Sequence, residues 1–268
     1  MLDTNPEHEA KLILYRGWLD PGKYVWSPFV TKLEARLRFS DVSYSTEAGS
    51  TLKAPKGKIP YVECPGPDAI ALGDSTLIIK HLVERDVLTD INAKISPTAK
   101  AQDLAIRALL EDKLYFYHTR ERWLENYYPM RDHILSALPY PIRIIVGLLI
   151  YRTTTKTLHG QGTSRYTADE IRSFRREIWE NINALLISSR ASKVGSDYDD
   201  NGNEKPFWIL QGVHPTEADA TLFGFIVSVL VCTACPESQT LVKEFPIILD
   251  YATRIHNAYF PDYVKWTL

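Results

Sequence analysis

The sequence predicts a small α/β domain over residues 1–92 followed by an all-helical domain over 93–268. Three observations carry this. Short β-type runs punctuated by turn residues crowd the first third of the chain, and none follow it. Within that third, Lys56-Gly57-Lys58-Ile59-Pro60-Tyr61-Val62 reads as a strand opening on Ile-Pro, and Asp74-Ser75 reads as the start of a helix. Beyond Ile95-Ser96-Pro97-Thr98, which reads as a linker, long helical patterns take over.

Residues 11–15 form a compact apolar run that ends at Gly17 and an Asp20-Pro21-Gly22 turn, so they predict the first strand. Ser27 and Pro28 suit the N-cap and first position of a helix whose Val30, Leu33 and Leu37 recur at helical spacing. Further strands are expected at 42–44, at 61–63 and, after the turn Pro65-Gly66-Pro67-Asp68, at 69–72. Leu77, Ile78 and Leu82 then belong to a closing helix. Strand–helix–strand followed by strand–strand–helix is the order of a thioredoxin-like domain.

In the second part, helical patterns cover 104–117 and 168–186, the latter opened by Thr167 with Glu170 three residues on. The polar stretch 188–205 is expected to be an exposed loop. Two apolar runs, 142–150 and 222–232, fall short of the ~20 residues of a membrane span and read as buried helices. Thr216 and Asp219 form a capping box in front of the second run, a folding feature rather than a catalytic one.

A net charge of −2, with both signs spread along the chain, provides no footprint for nucleic acid or for an anionic membrane. Three cysteines, an odd number, argue against a disulfide framework and suit a reducing compartment. The first ten residues are polar and acidic, resembling neither a secretory signal nor a transit peptide. A cytoplasmic protein without an integral membrane segment is expected.

The Ile59-Pro60 and Asp74-Ser75 pairs carry the functional reading. A cis X-Pro bond would turn the Ile59 amide and carbonyl away from the sheet, leaving them free for a ligand. Asp74 and Ser75 fall at a helix N-terminus, where free amides favour a carboxylate. Together these groups can hold the two ends of a small zwitterionic peptide such as glutathione. Lys56 or Lys58 can meet its second carboxylate, although solvated lysines are more common.

Through these motifs the chain resembles the glutathione transferase superfamily. Ser27-Pro28-Phe29, Gly57-Lys58-Ile59-Pro60, Asp74-Ser75 with Ile78, and the Thr216–Asp219 cap occur in that family's order. Within it, the chain looks most like the branch of metaxins and failed-axon-connections proteins, through residues 27–34, 56–60 and Leu158-His159-Gly160-Gln161-Gly162. The resemblance implies glutathione as co-substrate, no metal, and a role in detoxification: conjugating or sequestering small hydrophobic electrophiles. It also implies an alternative, a metaxin-like interaction module with little or no catalysis. Dimers are common in the superfamily, and the sequence leaves a homodimer open.

Where cysteine-using classes of the family have Cys-Pro-Phe, this chain has Ser27, whose hydroxyl can hydrogen-bond a thiolate and favour the ionised form. Tyr24, just ahead of the same helix, is the rival for that role. Serine cannot form a mixed disulfide, so thiol-exchange chemistry is disfavoured. By the same resemblance, Tyr117 and Trp123 fall in the part of the helical domain that faces the electrophile, although aromatic residues at helical spacing are more often core. Cys232-Thr233-Ala234-Cys235 lacks the second pair of a zinc site, and its cysteines are expected to be buried and structural.

Overall fold

The computed structural model describes residues 12–64, 70–192, 197, 198, 202 and 204–267. The expectations for the amino-terminal ten residues and for the turn at 65–68 lie outside the described residues, as does much of 188–205. Four strands, β1 (Leu12–Tyr15), β2 (Tyr44–Glu47), β3 (Tyr61–Cys64) and β4 (Ile70–Gly73), form one sheet in the order β2-β1-β3-β4. β1 and β2 are parallel, whereas β3 runs antiparallel to both β1 and β4. Helix α1 (Pro28–Phe39) makes the crossover from β1 to β2, and α2 (Ser75–Glu84) follows β4. Leu14, Leu33, Leu37, Val62, Ile78 and Leu82 close a core between the sheet and these helices.

The second strand begins later than expected. Asp41 takes a positive φ of 53° and the Val42 amide bonds back to Leu37 O at 3.0 Å, so Val42 belongs to the stop of α1. The expected linker is likewise absorbed into secondary structure. Ser96 caps α3 (Pro97–Leu109), its Oγ accepting the Ala99 amide at 3.2 Å.

From α3 the chain runs through a π turn (Leu110–Leu114), α4 (Tyr115–Arg120) and a second π turn (Glu121–Glu125). That second turn presents Glu121 to the first amides of a later helix, at Glu237 and Ser238, 2.9 and 3.1 Å away. Then come α5 (Tyr127–Ile134), α6 (Tyr140–Gln161) and α7 (Ala168–Ala191), the last opened by the expected Thr167–Glu170 capping box. Because α7 continues to Ala191, the beginning of the expected 188–205 loop is helical, and Ser189 is buried with its hydroxyl on the Trp208 carbonyl.

Helix α8 (Glu217–Val231) is the centre of the helical part, buried from Ala218 to Leu230. It is followed by α9 (Pro236–Lys243) and α10 (Pro246–Tyr259). Asp219 accepts four hydrogen bonds of 2.8 Å: from the amides of Ile209 and Thr216 and the hydroxyls of Thr216 and Tyr251. α8 packs so closely on α1 that a Cβ on Gly224 would lie 2.4 Å from the Pro28 carbonyl oxygen.

The other apolar run does not behave as expected. On α6 only Gly147 and Leu158 are buried, and several of its aliphatic side chains face outward. Apart from Arg143, its N-terminal half is apolar on every side, so hydropathy alone does not reveal which face the body covers. No single helix among the described residues is long and apolar enough to cross a membrane.

Candidate functional site

Strand register brings the sequence-predicted groups to one end of the sheet. Tyr61 pairs with Tyr15 on one side and with Gly73 on the other. The β1–α1 loop, Ile59-Pro60 and Asp74-Ser75 therefore all leave the sheet at the same edge, next to one another. The Ile59–Pro60 peptide bond is cis, and the ladder stops at Tyr61, so the Ile59 backbone lies outside it. Ile59 also touches the β1–α1 loop: a Cβ on Gly17 would be 3.6 Å from its Cγ2.

Asp74 adopts φ 80°, ψ 116°, a backbone conformation that costs a non-glycine residue on the order of 1–3 kcal/mol. The other non-glycine residues of positive φ near the sheet, Asp41 and Asp86, each follow a helix, where such a conformation is the ordinary stop. Asp74 instead precedes a helix. Its Oδ1 accepts the amides of Thr76 and Leu77 at 3.0 and 3.1 Å. Among the described residues, the Ser75 amide and hydroxyl are left without a protein partner at the positive end of α2. Ser75 is buried, and Asp74 and Lys58 are exposed.

Residues 28–128 match the family model of the glutathione S-transferase N-terminal domain. Solved structures of similar shape include a glutathione transferase from Phanerochaete chrysosporium, 16% identical, with 96% of this chain and 99% of that one aligned at a TM-score of 0.56. A second from the same organism, in complex with oxidized glutathione, is 14% identical over 94% of both chains (TM-score 0.53). A family member from Pseudomonas fluorescens with two glutathione bound is 13% identical, covering 94% of this chain and 90% of that one (TM-score 0.54). The chain has the glutathione transferase fold. The family model covers the amino-terminal part and the neighbours share the fold; neither distinguishes a metaxin-like branch.

On this glutathione transferase fold, Ser27 stands at the N-terminus of α1 with an extended backbone and a half-buried side chain. Its hydroxyl makes no cap bond to its own helix, and no acidic residue occupies the first turn. The positive end of α1 is thus left uncompensated beside a free hydroxyl. Tyr24 is placed differently. It is buried in the helical core among Phe223, Phe260, Tyr263 and Trp266, with its hydroxyl 2.8 Å from His256 Nδ1. Burial holds that phenol protonated far above neutral pH. Its hydroxyl is already engaged by His256.

Tyr117 and Trp123, open to a core or an electrophile-facing role from the sequence, are both buried and lie in different clusters. Tyr117 stacks on Phe174 in the main helical core, whereas Trp123 packs near Tyr127 in a separate cluster. The aromatic group next to Ser27 is another one, formed by Trp18, Trp26 and His133. Trp26 stacks on His133 at 3.5 Å, and Trp18 meets the same ring edge-on. Burial lowers the His133 pKa, which favours the neutral ring in this stack. Arg122 fixes the Trp26 carbonyl at 2.9 Å. Trp18 and His133 lie far apart in the sequence, and only the fold brings them together.

Sequence reasoning also missed what holds the β1–α1 loop. Arg16 is buried and donates to the carbonyls of Asp20 (3.3 Å) and Lys23 (2.5 Å), while its Nε lies 3.3 Å from Glu34. Glu34 in turn accepts the Tyr263 hydroxyl at 2.7 Å. Burial raises the Glu34 pKa, with Arg16 as the main opposing influence. No local signal marks Arg16 and Glu34 as partners.

A cleft of about 250 Å³ opens beside the first turn of α2, lined by Lys32, Thr76, Lys80, Asp90, Arg107 and Glu217. None of the sequence-predicted residues lines it, and Lys32 Nζ is engaged by Thr76 Oγ1 and Glu111 Oε1, at 2.8 and 2.6 Å. Cys232 and Cys235 are buried and free. Cys235 precedes α9, and its Sγ donates to the Cys232 carbonyl at 3.3 Å. Among the described residues no group of His, Cys, Asp and Glu side chains could hold a metal ion.

Proposed function

We propose that this protein binds reduced glutathione at the sheet edge formed by Ile59, Pro60, Asp74 and Ser75, and uses it to conjugate or sequester small hydrophobic electrophiles. The observation that carries the reading is the Tyr61–Gly73 pairing, which sets a cis-proline edge beside a strained Asp74 at a helix N-terminus. The Ile59 backbone suits the cysteinyl peptide group as a strand-like partner. The Ser75 amide and hydroxyl suit the γ-glutamyl carboxylate, and Asp74 suits the ammonium group. Lys58, exposed on the same loop, suits the glycyl carboxylate. Neighbours of the same fold crystallised with glutathione support this ligand class.

In the catalytic form of this proposal, the thiol lies under Ser27. The Ser27 hydroxyl donates to the sulfur, and the end of α1 favours negative charge there, so the thiolate forms at lower pH than in water. The thiolate sulfur then bonds to the electrophilic carbon, and the leaving group departs with the electron pair of the broken bond. Trp18 and the Trp26–His133 stack provide a flat apolar wall for the electrophile. The helical domain from about residue 93 supplies the His133 part of that wall.

Calorimetric titration with reduced glutathione tests the binding step. Ser75→Ala is expected to weaken binding by about 10- to 100-fold, the worth of a hydrogen bond to a charged group. Ser27→Ala is expected to bind as the parent does and to conjugate an aromatic electrophile more slowly. Parent-like affinity in Ser75→Ala would overturn the assigned carboxylate site. A parent protein that shows no heat and no thermal stabilisation at millimolar glutathione would leave the metaxin-like docking module as the better reading.

A further inference from the structure

Helix α6 carries an outward face that the glutathione site does not explain. Ile142, Ile145, Leu148 and Leu149 are 48%, 62%, 51% and 58% exposed. At 100° per residue these four, with Arg152 and Lys156, fall within an arc of about 120°. The opposite face is fastened to the body. Leu158 is fully buried, and a Cβ on Gly147 would lie 2.6 Å from the Tyr127 hydroxyl and 2.8 Å from Arg131. The aliphatic side chains are therefore presented outward by a helix whose inner side is already packed.

Charge on α6 is one-sided. From Tyr140 to Gln161 it holds Arg143, Arg152 and Lys156 and no aspartate or glutamate, within a chain of net charge −2. Asp132, the nearby acid, is 2.7 Å from Arg131 and 3.8 Å from Arg143. Arg152 and Lys156 are exposed and lie about 5 and 10 Å further along the axis than Leu149. At the other end, Tyr128 and Tyr140 are exposed, and the Arg131 guanidinium lies over both rings.

We propose that the outer face of α6 is a peripheral binding surface for anionic phospholipid, a local footprint that the overall charge balance of the sequence conceals. The aliphatic half seats in the interfacial zone with Tyr128 and Tyr140 at headgroup level, and Arg152 and Lys156 meet the anionic headgroups. Charge complementarity selects this occupant over a second copy of the chain. A two-fold contact through α6 would bring basic residues of both copies to a face with no carboxylate of its own. The inference does not depend on the glutathione reading.

The test is co-sedimentation of the full chain with phosphatidylcholine vesicles, with and without phosphatidylserine, at low and high salt. Binding is expected only to the phosphatidylserine vesicles, and salt should weaken it. The double variant Arg152→Glu/Lys156→Glu should reduce partitioning at least about tenfold. Leu148→Ser/Leu149→Ser should reduce it similarly even at low salt, while thermal unfolding stays parent-like because both side chains are exposed. Failure to bind either vesicle would overturn the proposal, as would parent-like binding by both variants. A dimer in solution that Leu148→Ser/Leu149→Ser dissolves, without vesicle binding, would overturn it in favour of a self-interface. A monomer that ignores both vesicles would overturn it in favour of a protein partner.

Discussion

Asp219→Ala is expected to destabilise the protein by about 3–5 kcal/mol, read by denaturant unfolding. The side chain is fully buried, and its carboxylate is the acceptor for two amides and two hydroxyls. Alanine removes the acceptor and leaves the Ile209 and Thr216 amides stranded, each costing about 1–3 kcal/mol when buried and unpaired. The hydroxyls of Thr216 and Tyr251 can rotate toward other acceptors, so the amides dominate the loss. Asp219→Asn keeps one carbonyl oxygen and is expected to fall between the two. Burial pushes the Asp219 carboxyl up from 3.8 to about 6 in the folded state. The folded protein thus holds this proton more tightly than the unfolded chain. The stability tied to it is full below about pH 4 and is lost as pH rises through 6. The gap between parent and Asp219→Asn should therefore narrow over that range.

What was legible in the sequence is what local chemistry determines. Thr216-Glu217-Ala218-Asp219 announced a buried helix start because only a buried amide end needs that box before a helix with no polar face. Ile59-Pro60 and Asp74-Ser75 were legible as a pair because each is a local signal, and the antiparallel β3–β4 ladder closes the distance between them. The remainder depends on partners remote in the chain. Arg16 reads as one more basic residue until Glu34 and Tyr263 are seen beside it. Tyr117 and Trp123, neighbours on one helical run in the sequence, are not neighbours in space. The π turns and the burial pattern send them to different clusters. The segment 158–162, part of the likeness to metaxins, is here the end of α6, with Gly162 at φ 103° as its stop. A helix stop of that kind arises wherever a helix must end, which reduces its weight as a mark of one branch.

Gly224→Ala is expected to cost about 3 kcal/mol and to slow the proposed conjugation as well, because this glycine sets how closely α8 approaches α1. An added Cβ would lie 2.4 Å from the Pro28 carbonyl oxygen and 2.8 Å from the Lys32 amide nitrogen. Both are backbone atoms, so no side-chain rotation relieves the clash, and the two helices must part. The displaced end of α1 is the one that begins at Ser27-Pro28, so the same shift moves the proposed thiol ligand. Gly160→Ala is the matched control. It too is a helical glycine, but an added Cβ there meets nothing within 4 Å, and alanine should stabilise by about 0.5–1 kcal/mol. Thermal unfolding and conjugation rates of the two variants separate backbone propensity from contact. A Gly224→Ala protein as stable as Gly160→Ala, with a parent-like conjugation rate, would mean that α1 is positioned from its sheet side alone. A loss in both measurements would mean that the central helix of the helical part holds the first turn of α1 where Ser27 can reach a sulfur.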